Sequence, residues 1–244
     1  MRNSYSLVIL LLVAMATGCF KDDTTIVEVT PNDFLSGNKY DKLKIELLFQ
    51  QGDGPTSDTE SAIRDFLNKR LNKPGGITYV INNVEGYDKK STYSLAEVKE
   101  IEKSTRTEKT DGTTLTVFIF FADAAFSENS GNSNVLGFAY GTSSIVIFEK
   151  TIRGLASGTG QTSLTTLETV VTEHELGHLM GLVNNGSAMQ TEHQDEPHGK
   201  HCDDTDCLMY HTTETFDILS NLLGGNVPSL NAQCLSDLKA NGGK

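Results

Sequence analysis

His174-Glu175-Leu176-Gly177-His178-Leu179-Met180-Gly181 is the stretch on which the reading of this 244-residue chain turns. A spacing of four puts both imidazoles on one face of a helix. Leu164, Leu167, Val170 and Val171 share that face, so the sequence predicts a helix opened by Ser163. Gly181 and the Asn184-Asn185-Gly186 turn are expected to end it. Two neutral imidazoles so placed can hold one zinc ion. Glu175 stands beside them, where a carboxylate can take a proton from an attacking water. H-E-x-x-H alone arises by chance in roughly one chain per hundred of this size. Here the pair lies on an apolar face, where imidazoles without partners are costly. All six histidines also fall between His174 and His211. Both features favour chemistry.

Upstream, Lys42 to Phe49 alternates, with Leu43, Ile45 and Leu47 on one face, and reads as a strand. Ser57 and Glu60 read as a capping box. Ala62, Ile63, Phe66, Leu67 and Leu71 then carry a helix to about Asn72. Pro74, Gly75 and Gly76 break the chain before a strand from Ile77 to Val84. Ser94 and Glu97 form a second capping box, ahead of a charged helix to about Arg106.

Leu115 to Phe121 is almost wholly apolar, as in a strand buried on both faces. Ala122 to Asn134 reads as a loop, and Val135 to Tyr140 and Ser144 to Phe148 as strands. A Gly-rich loop leads to the histidine helix. Short helices near Phe216–Leu223 and Leu230–Leu238 finish the chain. The order predicts an α+β fold, a mixed, mostly parallel sheet with helices against it and a small irregular C-terminal part.

The N-terminus has a different character. Arg2, the apolar run Leu7 to Ala14 and the small residues Ala16, Thr17 and Gly18 make the pattern of a secretory signal. The run is too short to span a bilayer. Cys19 follows directly and resembles the lipidated cysteine of a bacterial lipobox. Lys21-Asp22-Asp23 resembles the surface-export signal of Bacteroidetes lipoproteins. Residues 1–18 are thus expected to be a signal peptide, 19–40 a lipidated cysteine and polar tether, and 41–244 the functional domain. That domain divides into a part ending near 183 and a part from 184 to 244. The expected location is the outer membrane, with lipid as the only membrane contact.

The net charge of −12 sets nucleic-acid binding aside, because an acidic surface repels phosphates. Cys202, Cys207 and Cys234 remain after Cys19. Outside the cytoplasm, three thiols suggest one disulfide and one thiol left over. The pairing is open, with Cys202 and Cys207 closing the shortest loop.

The histidine stretch resembles the metzincin motif H-E-x-x-H-x-x-G-x-x-H. It departs at the last position, where Asn184 is a poor zinc ligand. Further on, His201-Cys202-Asp203-Asp204-Thr205-Asp206-Cys207-Leu208-Met209 resembles the stretch of archaemetzincins in which the third histidine leads into a methionine turn. The resemblance implies a metzincin-like zincin with a backing helix and an active-site helix. It implies an insertion over 184–200, His201 as third ligand and Met209 as the turn methionine. His193 and His198 are the alternative ligands.

The later C-x-x-C of that family is absent, so the resemblance implies no second, structural zinc and leaves Cys202 and Cys207 to pair. Gly137-Phe138-Ala139-Tyr140 resembles the edge strand above the metzincin cleft, which pairs with extended peptides; a plain core strand is the other reading. Together these imply a monomeric zinc-dependent endopeptidase with one catalytic Zn2+, Glu175 as general base and a protein or peptide as substrate. The alternative is a metzincin-like surface binding module or adhesin without turnover.

Overall fold

The apolar run at 115–121 lies at the centre of a sheet. The computed structural model describes residues 29–83, 87–130, 134–158, 162–215, 218, 222 and 226–244. The expected leader, Cys19 and the stretch to residue 28 lie outside them, as does most of the short helix expected at 216–223.

The strands are Lys42–Phe49 (β1), Gly76–Asn83 (β2), Thr92–Tyr93 (β3), Thr114–Ala122 (β4), Ala125–Phe126 (β5), Gly137–Tyr140 (β6) and Ser144–Phe148 (β7). The α-helices among the described residues are Pro31–Leu35 (α1), Ser57–Arg70 (α2), Leu95–Thr105 (α3), Glu149–Ala156 (α4), Leu164–Leu179 (α5) and Ala232–Ala240 (α6). The main sheet runs β2-β1-β4-β7-β6. Its pairs are parallel except for β6, which lies antiparallel to β7 at one edge.

The run in β4 serves two cores, because successive side chains face opposite sides of a sheet. Val117, Ile119 and Phe121 join the core shared with α2 and α5. Phe118 and Phe120 join Val98 and Ile101 of α3 on the other face. Burial on both faces removes any need for polar alternation. The α+β fold with a mixed, mainly parallel sheet therefore stands.

The structure differs from the sequence reading in five places. α2 begins one residue earlier than the proposed capping box: Thr56 is the N-cap and its hydroxyl accepts from the Thr59 amide. The box at Ser94 and Glu97 is present as expected. Within the loop read over 122–134, Ala125 and Phe126 pair with Thr92 and Tyr93. α4 forms where only loop was expected.

The histidine helix is not half-exposed. Glu168, Thr169, Thr172 and Glu173 are buried along with its apolar residues. Glu168 is accommodated by donors from α2, its Oε2 accepting from the Thr59 hydroxyl at 2.7 Å and the Thr56 amide at 2.9 Å.

The tether reading is corrected for residues 29–40. Thr30 and Asp33 form a capping box for α1, and Phe34, Leu35 and Tyr40 enter the main core. Lys73 fixes the segment by donating from Nζ to the carbonyls of Asp33 (2.7 Å), Ser36 (2.6 Å) and Tyr40 (2.7 Å). Pro31 packs over Gly181 so closely that a Cβ there would overlap it. The folded unit thus includes residues N-terminal to the boundary expected at 41.

Candidate metal centre

α5 sets out the first two ligands. His174 is fully buried and its Nδ1 donates to the Leu208 carbonyl at 2.7 Å. That bond fixes the tautomer and leaves the lone pair on Nε2. His174 Nε2 and His178 Nε2 lie 3.1 Å apart. Four ligands at 2.0–2.1 Å around a tetrahedral zinc have edges of about 3.3 Å, so this pair is spaced to share one ion.

Burial, then the neighbouring His174, His201 and Lys200, hold His178 well below the usual histidine range. A neutral imidazole is the form that ligates.

The chain must leave α5 sharply to bring the third ligand back. Gly181 (φ +76°) starts the turn, and Val183 (φ +52°) and Asn184 (φ +58°) continue it in the left-handed region. Such angles are uncommon for a β-branched residue and mark a constrained corner. Ser187 secures it by donating to the Met180 carbonyl at 2.6 Å.

Of the three candidate third ligands, the structure brings His201 to the pair. The ligating atoms of His174, His178 and His201 all lie within 4.8 Å of one another. His201 Nδ1 donates to the His198 carbonyl at 2.8 Å, which puts its lone pair on Nε2. The donor set of three imidazoles, two with tautomers fixed by backbone carbonyls, suits zinc.

His193 and His198 are elsewhere. His193 is fully buried and its Nε2 faces Asp237 Oδ2 at 2.8 Å. His198 stacks on His211 with ring centroids 3.6 Å apart, and both face Asp195.

Met209 is fully buried and its side chain packs against Gly177 of α5. Glu175 is also fully buried, and its Oε2 accepts from the Ala139 amide of β6 at 2.7 Å. Glu175, His178 and His201 line a cleft of about 370 Å3 with Phe138, Ala139 and Tyr140 of β6. Among the described residues β6 is an edge strand of the main sheet.

The expected Cys202–Cys207 disulfide is not formed. Cys202, Cys207 and Cys234 are free buried thiols, and Cys207 Sγ lies 3.7 Å from Cys234 Sγ. Cys234 comes from α6, which folds back onto the loop between Cys202 and Met209 and so meets both other thiols. Sequence reasoning missed the grouping of His193 with Cys202 and Cys234, and of Asp195 with His198 and His211. The crowding of histidines and cysteines after residue 190 was the one available signal.

No helix of the described residues is long and apolar enough to cross a membrane. No protein-family model matches the chain, and no curated protein matches it. Solved structures do resemble it. A zinc-dependent peptidase from Methanocorpusculum labreanum is 14% identical with a TM-score of 0.50, over 80% of this chain and 99% of that one. An archaemetzincin from Methanopyrus kandleri is 15% identical with a TM-score of 0.49, over 84% of this chain and 96% of that one. A metalloproteinase-II from Bacteroides fragilis is 12% identical with a TM-score of 0.47, over 85% of this chain and 54% of that one. The first of these likenesses establishes a shared fold, and the expected zincin architecture stands on it.

Proposed function

We propose that the chain is a zinc-dependent endopeptidase acting on protein or peptide substrates. The observation that carries this reading is the convergence of His174, His178 and His201 beside Glu175, in a cleft under the β6 edge. His174, His178 and His201 would hold one zinc ion, which would supply Lewis-acid polarisation of a scissile carbonyl and a more acidic water. Glu175 takes the proton from that water and delivers it to the leaving amine. The β6 edge holds an extended peptide across the cleft by main-chain pairing. The proposal includes location: a lipid on Cys19 tethers the exported protein to the outer membrane.

Glu175→Gln tests the reading. The change keeps size and the ability to accept from Ala139, and removes the base. Zinc content and thermal stability are expected to stay, while cleavage of an unfolded-protein or peptide library falls by about 10²–10⁴-fold. Equal cleavage by the variant would remove Glu175 from the mechanism. A parent protein with full zinc that cleaves nothing in a broad library would favour a binding module.

A further inference from the structure

We propose that Lys200 makes an acid-accepting subsite in the cleft, so that the preferred substrates are peptides carrying Asp or Glu close to the scissile bond. The inference rests on the endopeptidase reading above and names the substrate class of that same site.

Lys200 lines the cleft together with Phe138, Tyr140, Glu175, His178 and His201. It is the one lysine or arginine among the described residues that do so. Asn185 also lines the cleft, but its Nδ2 is committed to the His178 carbonyl at 3.0 Å. Lys200 is exposed and forms no ion pair among the described residues. Its charge nevertheless reaches the centre, being one of the causes that hold His178 below the usual histidine range.

The backbone on either side of Lys200 is tied down. Gln194 Nε2 donates to the Gly199 carbonyl at 2.5 Å, and His201 Nδ1 donates to the His198 carbonyl at 2.8 Å. The Asp195 amide donates to the His201 carbonyl at 2.8 Å and closes the loop at its base. Gly199, at φ +74°, takes the left-handed turn just before the lysine. With the backbone held, only the side-chain torsions of Lys200 have to be ordered when a partner arrives. Asp195 does not neutralise it, because its Oδ2 faces His198 Nδ1 at 2.6 Å and His211 Nδ1 at 3.3 Å.

The charge of the whole chain makes this position informative. At −12, most of the surface repels an acidic peptide. Inside the cleft the one lining carboxylate, Glu175, is fully buried and turned to the Ala139 amide, while the exposed charge is the Lys200 ammonium. An acidic side chain is therefore attracted where the rest of the surface rejects it, and a basic side chain meets like charge. Attraction of one class and repulsion of the other together set a preference.

The test uses the zinc-loaded protein and otherwise identical peptides in which Asp, Ala or Lys is moved through each position around the cleaved bond. At one position the parent is expected to favour Asp over Ala by about three- to tenfold in kcat/KM, with the margin shrinking as ionic strength rises. Lys200→Met should bring that ratio close to one, and Lys200→Glu should turn the preference toward Lys. Ratios are read within each protein, so a change in zinc content common to all peptides cancels. An Asp preference at no position would overturn the proposal, as would one that Lys200→Met leaves intact.

If the parent cleaves none of the peptides, the endopeptidase reading fails and binding decides the subsite by itself. Calorimetric titration of the Glu175→Gln protein with the same peptides reads affinity without turnover. Tighter binding of an Asp peptide than of its Ala counterpart, lost in Glu175→Gln/Lys200→Met, upholds the subsite. Equal affinity for the two, or binding of neither, overturns it.

Discussion

The amide of Ala139 donates to Glu175 Oε2 across 2.7 Å, joining the edge strand of the sheet to the helix that carries the ligands. One hydrogen-bonding group of the β6 edge is therefore already committed to the carboxylate. The contact aims Glu175 into the cleft and fixes the height of β6 above His178. On the proposed function, a substrate strand on β6 and the base would be positioned by the same backbone.

Ala139→Pro removes that donor at an edge strand, where proline is tolerated. A hydrogen bond to a charged group contributes about 1.5–3 kcal/mol. Cleavage is expected to fall by about tenfold or more, with the zinc content unchanged and only a small change in melting temperature. Unchanged peptidase activity would show that the contact does not position Glu175.

On the proposed lipidation, Cys19→Ala is expected to move the protein from the membrane fraction to the soluble fraction, because the acyl chains on Cys19 would be what holds it there. Metabolic labelling with a fatty acid should mark the parent and not the variant. Tight membrane association of the variant would refute lipidation.

Lys73→Met should release residues 29–40. Three carbonyls lose a charged donor in a buried setting, for which a loss of at least about 2 kcal/mol is expected. Proteolysis should then reach the Asp33–Tyr40 stretch before the rest of the domain. A variant as stable and as resistant as the parent would return that segment to the status of a tether.

Glu149 gives the pH-dependent case. Burial, then the nearby Glu168, push its carboxyl well above the usual range, against the opposing pull of Arg153. Its folded form holds the proton at pH values where the unfolded chain has lost it. Stability therefore falls as pH rises above the unfolded value of about 4.5, by up to about 1.4 kcal/mol per pH unit, until the folded group ionises. Arg153 keeps its bonds to the Asp53 and Gly54 carbonyls without Glu149. Glu149→Gln should match the parent below about pH 4 and exceed it increasingly toward neutrality. Denaturant unfolding at several pH values checks this; a constant difference between the two proteins would contradict the shift.

What could be read from the sequence was local. The apolar runs of β1, β4 and β7 and the capping box of α3 each signal themselves within ten residues. So does H-E-x-x-H, whose partners are one helical turn apart. α4 was hidden because Glu149–Ala156 carries few apolar residues and a Gly at 154. α1 was hidden among polar residues whose burial depends on Lys73, 40 residues from Asp33. The burial of Glu168, Thr172 and Glu173 defeats periodicity, since their partners lie on other elements. The choice of His201 over His193 turned on which ring Asp237 captures, and Asp237 is 44 residues beyond His193.

Gly177 and Met209 make the last prediction. Alanine inside a helix is better than glycine by about 1 kcal/mol, so Gly177→Ala should stabilise α5 if nothing touched it. A Cβ at 177 would overlap the Met209 sulfur. Met209 is fully buried, and its carbonyl accepts from the Cys202 amide at 2.8 Å, so its backbone is not free to retreat. Overpacking of this kind costs about 1–3 kcal/mol. The clash should outweigh the propensity gain, and because Met209 lies against the turn that carries Leu208, the His174 partner carbonyl should move with it. Gly177→Ala is expected to lower the melting temperature and to weaken zinc binding by the three histidines. Met209→Ala removes the obstructing sulfur at the expense of a cavity. In the double variant the new Cβ has room, so adding Gly177→Ala to Met209→Ala should be neutral or stabilising. A thermodynamic cycle over the four proteins measures this directly. If Gly177→Ala has the same effect with and without Met209, the two residues are not in the contact described.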